Sequence, residues 1–368
     1  MERLWQAPRR PRTGMTELRA LTSVRGIAAW LVVLYHIRLS IAGLPASVVH
    51  ALSYGYLAVD FFFLLSGFVI WLAWGTRLRE GASGSTVEFL RRRFARIWPL
   101  HAVVLTGTVV MALALVATGR SDPDLYPLSD LPLHYLLIQN WGLAHLAWNY
   151  PAWSISCELF AYLLFAAVAG AIDLRRLSTG ALIGVAVGLL LLLHAVFRLR
   201  GLEHLGEYIP QMGLIRCVLQ FGCGAVVAAL WLRWRDRSRV PTAGAATVAI
   251  AAGGLTIEGW LPETLGVPVA FATLLLVLAL TAGRSGNPIE GRTIHYLGEI
   301  SFATYLAHSP LWNAFKLVFV RDAYAVPPVL IALYLAMVLA ASVMLYHGVE
   351  RPAQRAINGW RRRGIAAV

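Results

Sequence analysis

Apolar stretches of about 20 residues recur along the whole chain, the length that carries an α-helix across the hydrocarbon core of a bilayer. Nothing else in the sequence constrains the fold as strongly. A soluble protein of 368 residues would bury a large core but would still need a polar surface. Here 14% of residues are charged, against about 25% in a soluble domain, and 58% are hydrophobic. The chain therefore reads as all-α, a polytopic membrane bundle. Apolar length and loop punctuation place spans near 20–42, 54–75, 98–118, 152–172, 180–197, 211–232, 243–258, 266–282, 296–319 and 327–347. Ten spans put both termini on one side. The stretch "LPLHYLLIQNWGLAHLAWNYP" (131–151) is aromatic, amphipathic and interrupted, and is expected to lie along the interface or re-enter the membrane.

Charge sets the orientation. With the N-terminus inside, 24 arginines fall in the inner segments and four in the outer loops, which favours N-in, C-in under the positive-inside rule. The net charge of +13 thus sits in short topology-setting loops, and no nucleic-acid partner is expected. Residues 1–17 read as a basic cytosolic leader without a cleavable signal, 18–350 as one membrane domain and 351–368 as a basic cytosolic tail. Cys157, Cys217 and Cys223 lie in apolar segments without a CxxC pair, so neither disulfides nor a metal site are expected.

Several ionisable residues do not belong in lipid, where each costs about 2.5–3.5 kcal/mol on insertion scales unless it finds a partner or a wet cavity. In "VRGIAAWLVVLYHI", Arg25 and His36 are eleven residues apart, close to three helical turns. They share one helix face, about 16 Å apart along the axis. Asp60 in "YGYLAVDFFF" and Glu158 in "PAWSISCELF" enter from the same outer boundary as His36, each about 9 Å below it. A carboxylate beside an imidazole fixes its tautomer and supports its charge, as a general base requires. The same trio would serve a proton relay in a transporter. A third reading, a non-catalytic membrane scaffold, gives no reason for matched depths.

"VEFLRRRFARIWPLH" places Arg93 and Arg96 three apart on one face, where paired guanidinium forks suit phosphate oxygens; topogenic charge and anionic headgroups are the plainer uses. Ser66 in "LLSGF" and Trp153 and Ser154 in "WSIS" are further candidates, though the small residues read first as helix packing. His308 in "SFATYLAHSP" lies mid-span, and Glu350 with Arg351 reads as a surface pair.

"VRGIAAWLVVLYH", "GYLAVDFFFLLSGFVIW", "FLRRRFARIWPL", "WSISCELFAYLLF" and "LGEISFATYLAHSPL" occur in the order and spacing of the membrane-bound acyltransferase-3 family, which the chain resembles over roughly residues 17–352. The resemblance implies a ten-helix protein of the bacterial cytoplasmic membrane that O-acylates sugars and related hydroxyl compounds, usually from acetyl-CoA. It implies that His36 is the active-site histidine, with Arg25 in the same first-helix motif. Arg93 and Arg96 match the RxxR motif associated with the acyl-CoA donor, Asp60 matches the aspartate of a GVD motif, and Glu158 the first glutamate of WSLSVEEQFYL. Ala58 stands for the usual glycine, Cys157 and Leu159 flank Glu158 where valine and a second glutamate are common, and "YLAH" replaces YLWH with His308 kept. Many relatives carry a further extracytoplasmic hydrolase-like domain; this chain ends about twenty residues after its last span, so it is expected to finish the reaction alone or pass product to an accessory protein.

The expected function is therefore transfer of an acyl group, acetyl by default, from acyl-CoA held by Arg25, Arg93 and Arg96. His36 acts as base or transient acyl carrier, oriented by Asp60 or Glu158. The acceptor is a surface polysaccharide, a lipid-linked oligosaccharide or a hydroxylated small molecule. Inverted repeats and paired broken helices would favour the transporter, and the sequence has no convincing pair.

Overall fold

The computed structural model describes residues 18–364 apart from 82, 83, 121, 238 and 285, with side chains described to residue 359. The leader 1–17 and residues 365–368 lie outside the described residues. The chain forms α1 (Arg19–Ile37), α2 (Ala46–Ser53), α3 (Ala58–Arg79), α4 (Ser85–Ala117), α5 (Leu131–Leu136), α6 (Ala152–Val168) and α7 (Thr179–Leu199). There follow α8 (Ile209–Trp234), α9 (Arg239–Ile257), α10 (Glu263–Thr281), α11 (Arg292–Glu299), α12 (Ser301–Phe319), α13 (Pro328–Leu345) and α14 (Arg351–Gly364). No strand occurs among the described residues, only an isolated bridge between Ile41 and Val326.

Among the described residues eight helices are long and apolar enough to cross a membrane. The remaining two of the ten expected spans are α6, with 17 residues, and α12, which carries Ser301, Thr304, His308, Asn313 and Lys316. The first is apolar but short, and the second is long enough but carries buried Ser301, Thr304 and His308 into the interior, which lowers its apolarity. Local signals set the ends: the Ser178 hydroxyl accepts from Ala181 N–H at the start of α7, and Pro45, Pro262 and Pro327 precede α2, α10 and α13. The sequence expectation starts the third span at 98, but α4 begins at Ser85. Nothing between 85 and 97 breaks a helix, and 33 residues make a rod of about 50 Å, longer than a hydrocarbon core of about 30 Å. Its first turns carry the arginine cluster beyond the apolar layer.

The helix α3 is apolar all round and buried on nearly every side, as expected for a central helix. Its closest neighbour is α8. A Cβ on Gly67 would lie 1.8 Å from the Phe221 carbonyl oxygen, and one on Gly224 would lie 1.9 Å from that of Leu64, so the two backbones touch. Gly67→Ala must push these helices apart and is expected to cost about 1–3 kcal/mol. Gly184→Ala, in a helix with nothing within 4 Å of the new methyl, should be neutral or stabilise by about 0.5–1 kcal/mol. Thermal unfolding of the two variants in detergent checks this, and equal midpoints would contradict the tight α3–α8 contact.

A second cluster joins Val33 and Ile37 of α1 to Trp312 and Phe315 of α12 and Tyr334 and Val338 of α13. It clamps α1 against α12 at the level of His36 and His308. The segment 131–151 turns into the protein. Asn140 N–H donates to Ser156 Oγ at 3.2 Å, Trp141 Nε1 to the Ser156 carbonyl at 2.9 Å, and Asn149 Nδ2 to the Leu306 carbonyl at 2.9 Å. A backbone N–H, an indole and a side-chain amide thus seat irregular backbone inside the bundle, the condition for such backbone at membrane depth.

Candidate active site

Three cavities follow one another along α1. At the end bearing the α1 N-terminus, a polar mouth of about 550 Å³ is lined by Arg25, Arg93, Arg96, Glu299, Glu350, Arg351 and Arg355. The same three arginines, 25, 93 and 96, line a narrower middle chamber of about 160 Å³ with Ser66, Ser154, Glu158 and Tyr162. Val59 and Tyr305 form a wall shared by the middle chamber and a third cavity of about 250 Å³, which is lined by His36, Tyr35, Tyr56, Tyr150, Trp153, His204 and Arg216. The helical repeat places Arg25 and His36 at opposite ends of this series, as the sequence spacing leads one to expect.

The arginine run is sorted by helix geometry. Arg92 pairs with Glu88 on the exposed face, and Arg91 Nη1 donates to the Ile357 carbonyl at 2.8 Å. Arg93 and Arg96, three apart, turn inward to the cavities. Arg96 pairs with Glu350, whose side chain is fully buried. The sequence expectation of a surface pair between Glu350 and Arg351 is therefore corrected. The chain takes one π-helical turn over Tyr346–Glu350, which rotates Glu350 off the surface face and into the protein. Among the described residues Arg25 and Arg93 form no ion pair, which leaves two guanidinium groups in the chamber for an anionic ligand.

The structure brings His36 to His308, and hydrogen-bond accounting fixes the tautomers. His308 Nδ1 lies 2.7 Å from the Tyr305 carbonyl, which can only accept, so Nδ1 carries the proton and Nε2 is bare. His36 Nδ1 lies 2.8 Å from the Val32 carbonyl and must likewise donate, with His308 Nε2 at 3.3 Å as a second acceptor. His36 Nε2 is then the nitrogen with a lone pair, and it is buried without a hydrogen-bond partner. The Tyr334 hydroxyl donates to the His308 carbonyl at 2.9 Å and holds that helix turn in place. A held imidazole with one free basic nitrogen, lining a cavity, is equipped to accept a proton from an O–H or to attack a carbonyl.

The carboxylates expected to orient His36 do other work. Asp60, fully buried, is bridged by Arg216, with Nε to Oδ1 at 2.7 Å and Nη2 to Oδ2 at 2.5 Å, and Gln220 Nε2 donates to Oδ1 at 2.5 Å. Glu158 accepts from the Ser66 hydroxyl and from Tyr162 Oη, the latter at 2.5 Å, on the arginine side of the Val59–Tyr305 wall. Neither carboxylate hydrogen-bonds His36. Equal depth brought these groups into one slab but onto different helix faces.

Ser154 shares a 2.7 Å hydrogen bond with Tyr305 Oη and lies 3.1 Å from the Pro151 carbonyl, so it ties α6 to α12 at the shared wall. Trp153 walls the His36 cavity, its ring 5.5 Å from the Arg216 guanidinium carbon. Sequence reading missed Arg216, although it is an arginine within an apolar span like Arg25. It also missed the Tyr35, Tyr56 and Tyr150 lining, whose residue type alone is too common in such chains to be a signal. Among the described residues no group of three or more His, Cys, Asp or Glu side chains is placed to hold a metal ion.

Comparison with known proteins follows the same lines. Residues 18–347 match the family model described as an acyltransferase domain. The chain is 30% identical to acyltransferase MdmB of Streptomyces mycarofaciens over 387 residues, covering 96% of this chain and 95% of that protein. It is 25% identical to the exopolysaccharide production protein ExoZ of Rhizobium meliloti over 87% of this chain and 95% of the relative. It is 34% identical to protein 2 in the picA locus of Rhizobium radiobacter over 40% of this chain and 79% of that protein. No solved structure matches the chain significantly.

Proposed function

The chain belongs to the acyltransferase-3 family and is an acyltransferase, and from that premise we propose that it moves an acyl group, acetyl by default, from acyl-CoA to an acceptor hydroxyl. The 24-to-4 split of loop arginines supports termini in the cytosol of a bacterial cell, an orientation in which the arginine mouth opens to the cytosol and the His36 cavity lies toward the outer face. Arg25 and Arg93 receive the donor phosphates, with Arg96 beside them held by Glu350, and the thioester arm runs through the narrow chamber past Tyr305. The His36 Nε2 lone pair takes the acceptor proton as the hydroxyl oxygen attacks the thioester carbonyl. The C–S bond then breaks, and the imidazolium returns its proton to the CoA thiolate. His308 holds the His36 ring through Nδ1 and is a positioning residue.

One observation carries the reading: the unpartnered Nε2 of His36 lies in a cavity separated only by the Val59–Tyr305 wall from the chamber of the arginines. An aromatic cavity with polar rims suits a sugar ring or a hydroxylated small molecule, and the name of the ExoZ relative supports a glycan, free or lipid-linked. The competing proton relay would link His36, Asp60 and Glu158, and direct hydrogen bonds among them would favour it. They instead sit in three networks that no hydrogen bond joins among the described residues.

The test is thiol release from acetyl-CoA by detergent-purified protein supplied with crude cell-envelope glycan. Each of Arg25→Ala and Arg93→Ala removes a charge-assisted hydrogen bond of about 1.5–3 kcal/mol, so donor KM should rise about ten- to hundredfold with kcat little changed, whereas Arg96→Ala strands the buried Glu350 carboxylate and should lower folded yield as well. Wild-type protein that turns over no CoA thioester, while its proteoliposomes move protons in a His36-dependent way, would replace acyl transfer by the relay.

A further inference from the structure

The mouth has a wall that the acyltransfer reading leaves unused. Beyond the π-helical turn, α14 lays Arg351, Gln354, Arg355 and Asn358 along the cavity, at the i, i+3, i+4, i+7 positions of one helix face. The helix is docked there: Arg91 of α4 donates to its Ile357 carbonyl at 2.8 Å, and Gln354 Nε2 reaches Glu350 Oε1 at 3.3 Å. Charge in the mouth is unbalanced. Among the described residues Arg96 and Glu350 neutralise each other, which leaves Arg25, Arg93, Arg351 and Arg355 against Glu299 in the mouth and Glu158 in the inner chamber. These four form two groups, since Arg25 and Arg93 also line the inner chamber whereas Arg351 and Arg355 are exposed at the rim. Two cationic groups at different depths fit a ligand with two separate phosphate centres. Coenzyme A has that chemistry, a diphosphate on the pantetheine side and a 3′-phosphate on the ribose.

Resting on the donor reading above, we propose that α14 is part of the donor site, with Arg351 and Arg355 receiving the ribose 3′-phosphate while the inner arginines receive the diphosphate. The basic C-terminal segment then selects a phosphorylated nucleotide thioester over simpler thioesters, beyond any part it has in setting topology.

The test compares acetyl-CoA with 3′-dephospho-acetyl-CoA on wild-type protein and on Arg351→Gln/Arg355→Gln, both exposed positions, with thermal unfolding in detergent as the check that the variant is folded. Wild type should need about ten- to hundredfold more of the dephospho donor, as for one or two lost charge-assisted hydrogen bonds. In the double variant, KM for acetyl-CoA should rise to the dephospho value, while KM for the dephospho donor and kcat for both stay unchanged. If KM for acetyl-CoA does not move, or both donors weaken equally, α14 does not read the 3′-phosphate and its arginines serve anionic lipid headgroups or general attraction. A wild type that uses no CoA thioester at all overturns the donor reading, and this assignment with it; a wild type that uses both donors equally overturns this assignment alone.

Discussion

His36→Ala is expected to lower kcat for acyl transfer by about 10²–10⁴, the usual worth of a positioned general base, with donor KM unchanged. The split follows from distance. His36 lines the cavity at the far end of the series from the arginine mouth, so its loss leaves the phosphate contacts intact. His308→Ala leaves the basic nitrogen present but removes the acceptor 3.3 Å from Nδ1, so its effect should be smaller, up to about 10²-fold for a misplaced ring, and again confined to kcat. A purely structural role for either residue would instead lower thermal stability and shift donor KM together with kcat. Labelled acyl-CoA given without acceptor separates base from carrier: wild type should carry no covalent label, whereas stoichiometric label lost with His36 would make His36 the acyl carrier. Turnover by His36→Ala equal to wild type would remove His36 from the chemistry altogether.

Much of this site was legible because the rules involved are local. Apolar length located the eight helices long and apolar enough to cross a membrane among the described residues, and the 3.6-residue period put Arg25 with His36 and Arg93 with Arg96 on shared faces. What failed was pairing across helices. Depth below the membrane boundary can be counted along the chain, but the rotation of each helix about its own axis is set by packing. Asp60 therefore faces Arg216 of α8, through the α3–α8 contact that Gly67 and Gly224 permit, and turns away from His36. Glu158 joins Tyr162, four residues on, a partner the helical repeat does offer, and Ser66, which it does not. Glu350 was misplaced because one π-helical turn breaks the period on which the extrapolation relied.

Loss of either member of the Asp60–Arg216 pair is expected to produce the largest fall in stability. Both side chains are buried, and removing one leaves a charge in a low-dielectric interior, at a cost of about 3–5 kcal/mol. Asp60→Leu strands the guanidinium, and Arg216→Met strands the carboxylate, with Gln220 as its remaining donor. Each single variant should lose most of its folded yield in detergent. Removing both charges together should recover much of that loss, because apolar groups of similar volume commonly replace a buried pair at no net cost. Recovery in the double variant is incomplete, since Gln220 Nε2 and the Leu205 carbonyl both lose a partner; adding Gln220→Leu repairs the first of these. The triple variant also decides what Asp60 is for. If the pair serves to hold α3 against α8, the refolded triple variant retains His36-dependent turnover, with a changed acceptor KM because Arg216 lines the His36 cavity. A triple variant that folds and binds donor normally but has lost kcat to the extent of His36→Ala would return Asp60 to the reacting centre.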